Sequence, residues 1–353
     1  MRLLTRDPYT YVLRDRFGLG SVAPIPSPRP CVPGPGALAL TDASNVFTLS
    51  GGSIVANGTA AALSGIYATS AIARRCGRVF FMSLPVRTSG FTVGSNVRWG
   101  LTATQNASNL TYGLDAGGSD THRIKDASTV VDSIAFGSGE HQFAIALRNT
   151  GAYLFQRTGT TGLWKLYWVY ATGTGSLFPS LQVSTSAAVN FTSNKWSVID
   201  LGGKFLTDYE YASFRDTSIV AGTTRAGLAD FVLEINITLS GNPSFAMKFR
   251  RQDTNNAWIF QIVGTTGRLD EYNAGVITLR AVHNAGYPDG TYRIILTVDG
   301  QAMRFVRNNV ASMNYTDTNN KFPGMTDIEY TTVGAGVTIN DITLYPRYTS
   351  LPL

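Results

Sequence analysis

The chain is poor in charge. Only 15% of its 353 residues are Asp, Glu, Lys or Arg, where an average soluble domain carries roughly 25%. Hydrophobic residues make up 44%, so large cores can form and the surface must be covered mostly by Ser, Thr, Asn, Gln and Gly. Cysteine is scarce as well. Cys31 and Cys76 are the whole supply, too few for a disulfide framework, and their pairing stays open. The three histidines, His122, His141 and His283, form no spaced pair, so zinc lacks its ligands. No DxDxD-like cluster offers a calcium loop. Neither a metal nor any other cofactor is expected.

Long apolar runs are missing too. None approaches the ~18 residues of a membrane span. Arg2, Arg6, Asp7 and Arg14 interrupt the N-terminus where a signal peptide would be apolar. The expectation is a chain made in a cytoplasm, with no membrane as partner. The net charge is +6, but the basic residues are scattered and no nucleic-acid motif gathers them, so nucleic acid is not an expected partner. Helical periodicity is the last absence. From residue 37 onward no long window repeats apolar residues at i, i+3 and i+4.

What remains is strand signal. Short alternating runs are separated by Gly, Asn, Asp or Thr, and the 36 glycines suit many tight turns. GRVFFMSLPVR and FVLEINITLS read as strands, with Pro85 marking a bulge or edge in the first. GTTGR at 264–268 reads as a turn. TYRIILTVDGQAMRFVRNN, residues 291–309, is a hairpin around Asp299-Gly300. HQFAIALRNTGAYLFQR, residues 141–157, has nearly the same shape. LWKLYWVYATG places Trp164, Leu166 and Trp168 on one face and is apolar on the other as well. That suits a buried or subunit-facing strand.

The two hairpins belong to a longer repeat. Aligning Gly90 with Gly241, about 150 residues apart, brings the two hairpins together. It also brings SVIDLGG near 200 opposite DITLYPR near 345. The pattern repeats while the letters do not, which argues for two copies of one antiparallel sandwich. A boundary is expected near Gly202-Gly203. Ahead of the first copy, VAPIPSPRPCVPGPG at 22–36 holds six of the fourteen prolines, so it reads as an extended linker. Residues 1–20 precede it as a short arm with Leu3, Leu4, Tyr9, Tyr11, Val12 and Leu13 among its apolar residues. The arm either packs on its own domain or docks on a neighbouring subunit.

The second half, about 205–347, resembles the concanavalin-A-like jelly-roll superfamily, with laminin-G-like and lectin or glucanase modules the nearest comparison. The resemblance rests on Phe249, Arg250, Asp253, Asn255, Trp258, Val298, Asp299, Gly300 and Asp341. It implies an all-β fold of two tandem antiparallel jelly-roll β-sandwiches behind an N-terminal arm. The expected domains are an arm and Pro-rich linker at 1–36, a first sandwich at 37–203, and a second at 204–353 with a short tail. PGPGALALTDASNVFTLSGGSIVANG, residues 33–58, is in turn similar to the opening segment of such modules in tailed-bacteriophage virion proteins. That likeness implies a structural virion component, tail-associated or capsid-decorating. Its partners would be other virion proteins, in an oligomer assembled through the arm and the sandwich surfaces.

The chemistry expected is binding rather than catalysis. Glucanases of this superfamily set paired acids on alternate residues of one strand. Here Glu234 is followed by Asn236 and Thr238, and FFMSLPVR holds no acid. No Gly-x-Ser-x-Gly elbow or phosphate-cradling loop is present. No catalytic residue is therefore named, and Glu234 is expected at the surface or in an ion pair. Sugar binding needs an aromatic face and polar groups for hydroxyls. Arg251, Asp253, Asn255, Asn256 and Trp258, with Tyr272 across the sheet, form the candidate glycan site. A pair of lectin-like adhesin modules with a host-surface glycan as partner is the alternative function. The competing view of the site buries Trp258 between the sheets and leaves the polar residues as an ordinary turn.

Overall fold

A computed structural model describes residues 10–15, 17, 25, 27–30, 36–75, 77–84, 86–87, 97–105, 107–116, 121–135, 139–149, 151–170, 173, 175–201, 212–214, 223–226, 228–283, 286–332 and 335–349. Every regular element among them is a β-strand, and every strand pair is antiparallel. Contacts divide the chain into two units. Residues 1–208 and 349–353 form the first, and Tyr209–Tyr348 the second. The junction expected at Gly202-Gly203 lies outside the described residues, as do Leu3, Leu4, Tyr9, Cys31, Cys76 and Pro85.

Unit 2 is a two-sheet sandwich. One sheet runs Ala212–Phe214, Val337–Pro346, Phe231–Leu239, Gly290–Asp299, Ala302–Arg307, Val310–Thr316. The other runs Thr223–Ala226, Asp327–Thr332, Ser244–Asp253, Asn256–Val263, Thr266–Asn273, Val276–Val282. Alternate residues of a strand point to opposite faces, and the core shows it. Phe231, Leu233, Ile235, Ile237 and Leu239 from one sheet join Phe245, Met247, Phe249, Trp258, Phe260 and Ile262 from the other in a single buried cluster. Each such side chain contributes about 1.5–3 kcal/mol by leaving water.

Unit 1 repeats the strand order. Its first sheet runs Thr10–Asp15, Lys195–Asp200, Arg78–Leu84, His141–Arg148, Gly151–Thr158, Trp164–Tyr170. Its second contains Ser53–Ala68, Phe178–Ser193, Val97–Thr102, Tyr112–Ala116, Thr121–Asp126 and Thr129–Ala135 in that order. Trp168 Nε1 donates to Asp126 Oδ2 at 3.2 Å, tying the two sheets across the interior. Trp164, Leu166, Trp168, Val169 and Tyr170 are buried, so this strand is part of the core.

The turns follow local chemistry. The two anticipated hairpins pair as His141↔Thr158 through Arg148↔Gly151 and as Ile294↔Arg307 through Asp299↔Ala302. The next turn, between Ala302–Arg307 and Val310–Thr316, is made by Asn308 and Asn309, both at positive φ, which suits right-twisted strands. Gly336 has φ +97, and a Cβ there would clash with the Ser240 carbonyl, so the backbones can approach only because the side chain is missing.

At the N-terminus the described residues follow the first of the two alternatives left open, packing on their own unit. Thr10–Asp15 is a strand paired with Lys195–Asp200, in the place that Ala212–Phe214 takes in unit 2. Tyr11 pairs with Ile199 in that ladder, and Leu13 is 4% exposed. Phe17 and Ile25, also buried, line a small pocket with Leu38, Leu40, Ile54 and Ile66. Leu13, Phe17 and Ile25 are therefore spent inside their own unit.

Candidate functional site

Arg250, Asp299 and Gly300 each enter a polar contact of unit 2. Arg250, 3% exposed, donates through Nε to the Ala229 carbonyl and through Nη2 to Asp230 Oδ1, both at 3.0 Å. Asp230 Oδ1 also accepts from the Gly300 backbone N–H at 2.8 Å. Asp299 accepts from Arg347 Nη2 at 3.4 Å and from the Tyr348 hydroxyl at 2.7 Å. Burial, then this contact with Asp299, pushes the Tyr348 hydroxyl well above its usual range. Glu234 is nearly buried, with Oε1 accepting from Arg293 Nε at 2.7 Å and Oε2 from the Tyr345 hydroxyl at 3.4 Å. It is the ion-paired residue anticipated, held in a structural network.

The glycan site drawn from sequence separates into two parts. Trp258 is 0% exposed and packs against Tyr315 with ring centroids 5.3 Å apart. Its position in the ladder puts it on the core face beside Phe260, so it offers no ring to a ligand. Asp253, Asn255 and Asn256 form a self-satisfied turn. Asp253 Oδ1 accepts from Asn255 N–H at 2.7 Å, and Asn256 Nδ2 donates to both carboxylate oxygens. The Asn256 side chain and then the Asn255 N–H hold the Asp253 carboxyl below its usual range. Arg251 Nε lies 2.7 Å from Glu329 Oε2.

Tyr272 is different. It pairs across the ladder with Ala257 and Ile277, on the face turned away from the core, and it is half-buried. Its hydroxyl donates to Asn255 Oδ1 at 3.2 Å, and Lys248 Nζ sits 5.3 Å from its ring centroid. The same pleat face carries Lys248, Gln261, Arg268 and Asp270. Asp270 is 0% exposed. Its Oδ2 accepts from Arg268 Nε at 2.7 Å and from Gln261 Nε2. Its Oδ1 has no hydrogen-bond partner, and a buried acceptor without a donor is costly. Sequence reasoning missed Lys248, Gln261, Arg268 and Asp270. The signal was there in the i, i+2 spacing of Arg268, Asp270 and Tyr272, which alternation places on one face.

Unit 1 contains a polar cleft of about 410 Å³ whose lining includes Ser53, Ser83, Glu140, Gln142, Asn194 and Lys195. Glu140 Oε1 accepts from Ser83 Oγ at 3.0 Å and from Gln142 Nε2 at 3.1 Å. No aromatic residue is among its described lining residues, which sets it apart from the Tyr272 face. Among the described residues no group of three His, Cys, Asp or Glu side chains is placed to hold a metal ion.

No family model matches the chain, and no curated protein matches its sequence. Solved structures match it faintly. Sheep galectin-11 in complex with glycerol shares 9% identity over 36% of this chain and 99% of its own, at a TM-score of 0.31. A carbohydrate-binding module from Bacillus subtilis shares 12% over 39% of this chain and 91% of its own, at 0.27. A glycosyl hydrolase family protein from Mycobacterium fortuitum shares 12% over 54% of this chain and 99% of its own, at 0.36. Likeness at this level adds nothing to the strand order already described.

Proposed function

We propose that the protein is a carbohydrate-binding β-sandwich protein that engages a glycan through the outer face of the second sheet of unit 2. Galectins and a carbohydrate-binding module are among the faint structural likenesses, but the proposal rests on the face itself. The observation that carries it is Tyr272 beside Asp270. Residues two apart on a strand lie about 7 Å apart on one face. That spacing sets a half-exposed ring next to a carboxylate anchored by Arg268 and Gln261. The ring stacks on the CH face of a sugar. Lys248, Arg268 and Asn255 meet its hydroxyls.

The virion role expected from the sequence gains no support from the fold or the face. The test is a glycan array probed with the full chain and with Tyr272→Ala, followed by calorimetry on any hit. The expected result is binding that weakens roughly tenfold in the variant, the weight of one aromatic contact. Silence across the array, or a hit that Tyr272→Ala leaves unchanged, overturns the proposal.

A further inference from the structure

Unit 2 carries an edge strand of unusual composition. Val276–Val282 ends the second sheet, and among the described residues no strand pairs with its outer edge. Val276, Ile277, Leu279 and Val282 are 45–65% exposed, four large apolar side chains on seven residues. Val310, 61% exposed, opens the edge strand of the opposite sheet, Val310–Thr316. Soluble proteins usually blunt such an edge with charge, proline or a bulge. This strand has one irregularity, where the register shifts between Leu279 and Ala281, and one charge, Arg280. That charge is already spent, since Arg280 Nε and Nη2 both donate to Glu271 Oε2 at 2.9 and 2.7 Å.

We infer that this edge pairs with the same strand of a second copy of the chain, antiparallel about a two-fold axis. The sequence VITLRAV is self-compatible in that arrangement. A register centred on Thr278 sets Arg280 opposite Val276, and one centred on Leu279 sets it opposite Thr278. Neither opposes two charges, and both lay apolar side chains against apolar side chains. The unpaired backbone donors and acceptors of each edge satisfy one another. A strip about 23 Å long falls short of the ~800 Å² per partner of a standard interface. The dimer is therefore weak and concentration-dependent. Pairing joins two six-stranded sheets into one and sets two Tyr272 faces on it. Two weak glycan contacts would then act together. That last consequence rests on the proposed function, whereas the association does not.

Light scattering on the full chain from about 1 to about 100 μM tests the inference, beside Leu279→Lys and Ile277→Lys. Circular dichroism confirms that both variants fold, since both side chains are exposed. The mass is expected to rise from one chain toward two in the native protein and to stay at one chain in both variants. Hydrogen exchange should show amides of 276–282 gaining protection as concentration rises. A monomer at every concentration overturns the inference. So does an oligomer of any size that both variants leave intact, which would point to another surface.

Discussion

His283 shows how much one buried side chain can set. It is packed among Phe260, Phe305 and Tyr287, and its Nδ1 shares a 2.9 Å hydrogen bond with the Tyr287 hydroxyl. Burial, and then the charge of Arg307, lowers its pKa from 6.5 to about 4. Burial likewise pushes the Tyr287 hydroxyl far above its ordinary range. Above pH 6.5 His283 is neutral whether the chain is folded or not. As pH falls from about 6.5 toward 4, the unfolded chain takes up a proton that the folded chain refuses. Stability drops over that window by about 3 kcal/mol and then levels. Denaturant melts between pH 7 and 4 on the native protein and on His283→Gln check this. The native curve should lose more stability than the variant, and parallel curves would contradict it. At the same scale, Trp258 and Tyr272, drawn into one candidate site by the sequence, turn to opposite faces of the sheet. Both are aromatic and both flank the polar turn. Only ladder parity, set by pairing, tells that one faces the core and the other faces outward.

At the scale of elements, the strands were legible and their allegiance was less so. Alternation in 141–157 and 291–309 announced both hairpins, because period two is visible without any partner. The strand Thr10–Asp15 was not legible as part of a sheet. Its partner Lys195–Asp200 lies some 180 residues away, and no local pattern reports a pairing so distant. A free attachment arm could be removed without harm. A sheet strand cannot, since its loss uncovers the Lys195–Asp200 edge and the pocket that Phe17 and Ile25 fill. A protein starting at residue 37 is expected to melt at least several degrees lower, or to aggregate through the opened edge. Thermal melting followed by circular dichroism measures this. A melting temperature equal to that of the full chain would return residues 1–36 to the status of an independent arm.

At the scale of the whole molecule, the repeat governs. Both units set their strands in one order, though their sequences share little. Among the described residues, the buried core cluster of unit 2 runs from Phe231 to Leu344, with Leu228 packed against it. A fragment spanning 209–348 is therefore expected to fold by itself with a cooperative transition and dispersed near-ultraviolet ellipticity. A fragment that binds hydrophobic dye and melts without a transition would show that this core is insufficient. The same fragment retains Val276–Val282 and Tyr272, so it should keep both the self-association and the glycan contact.

The sequence alone showed that this protein is built of strands, that a hairpin pattern recurs about 150 residues on, and that no second acid follows Glu234 two positions along its strand. Those properties are local: alternation, turn residues and the presence of an acid can each be read within a few positions. Only the tertiary structure decided that Trp258 is core, that residues 10–15 complete a sheet, and that Lys248, Gln261, Arg268, Asp270 and Tyr272 share one face. Each of those depends on which strand lies beside which, and in which register. Strand pairing is a contact between distant segments, which one-dimensional order does not record.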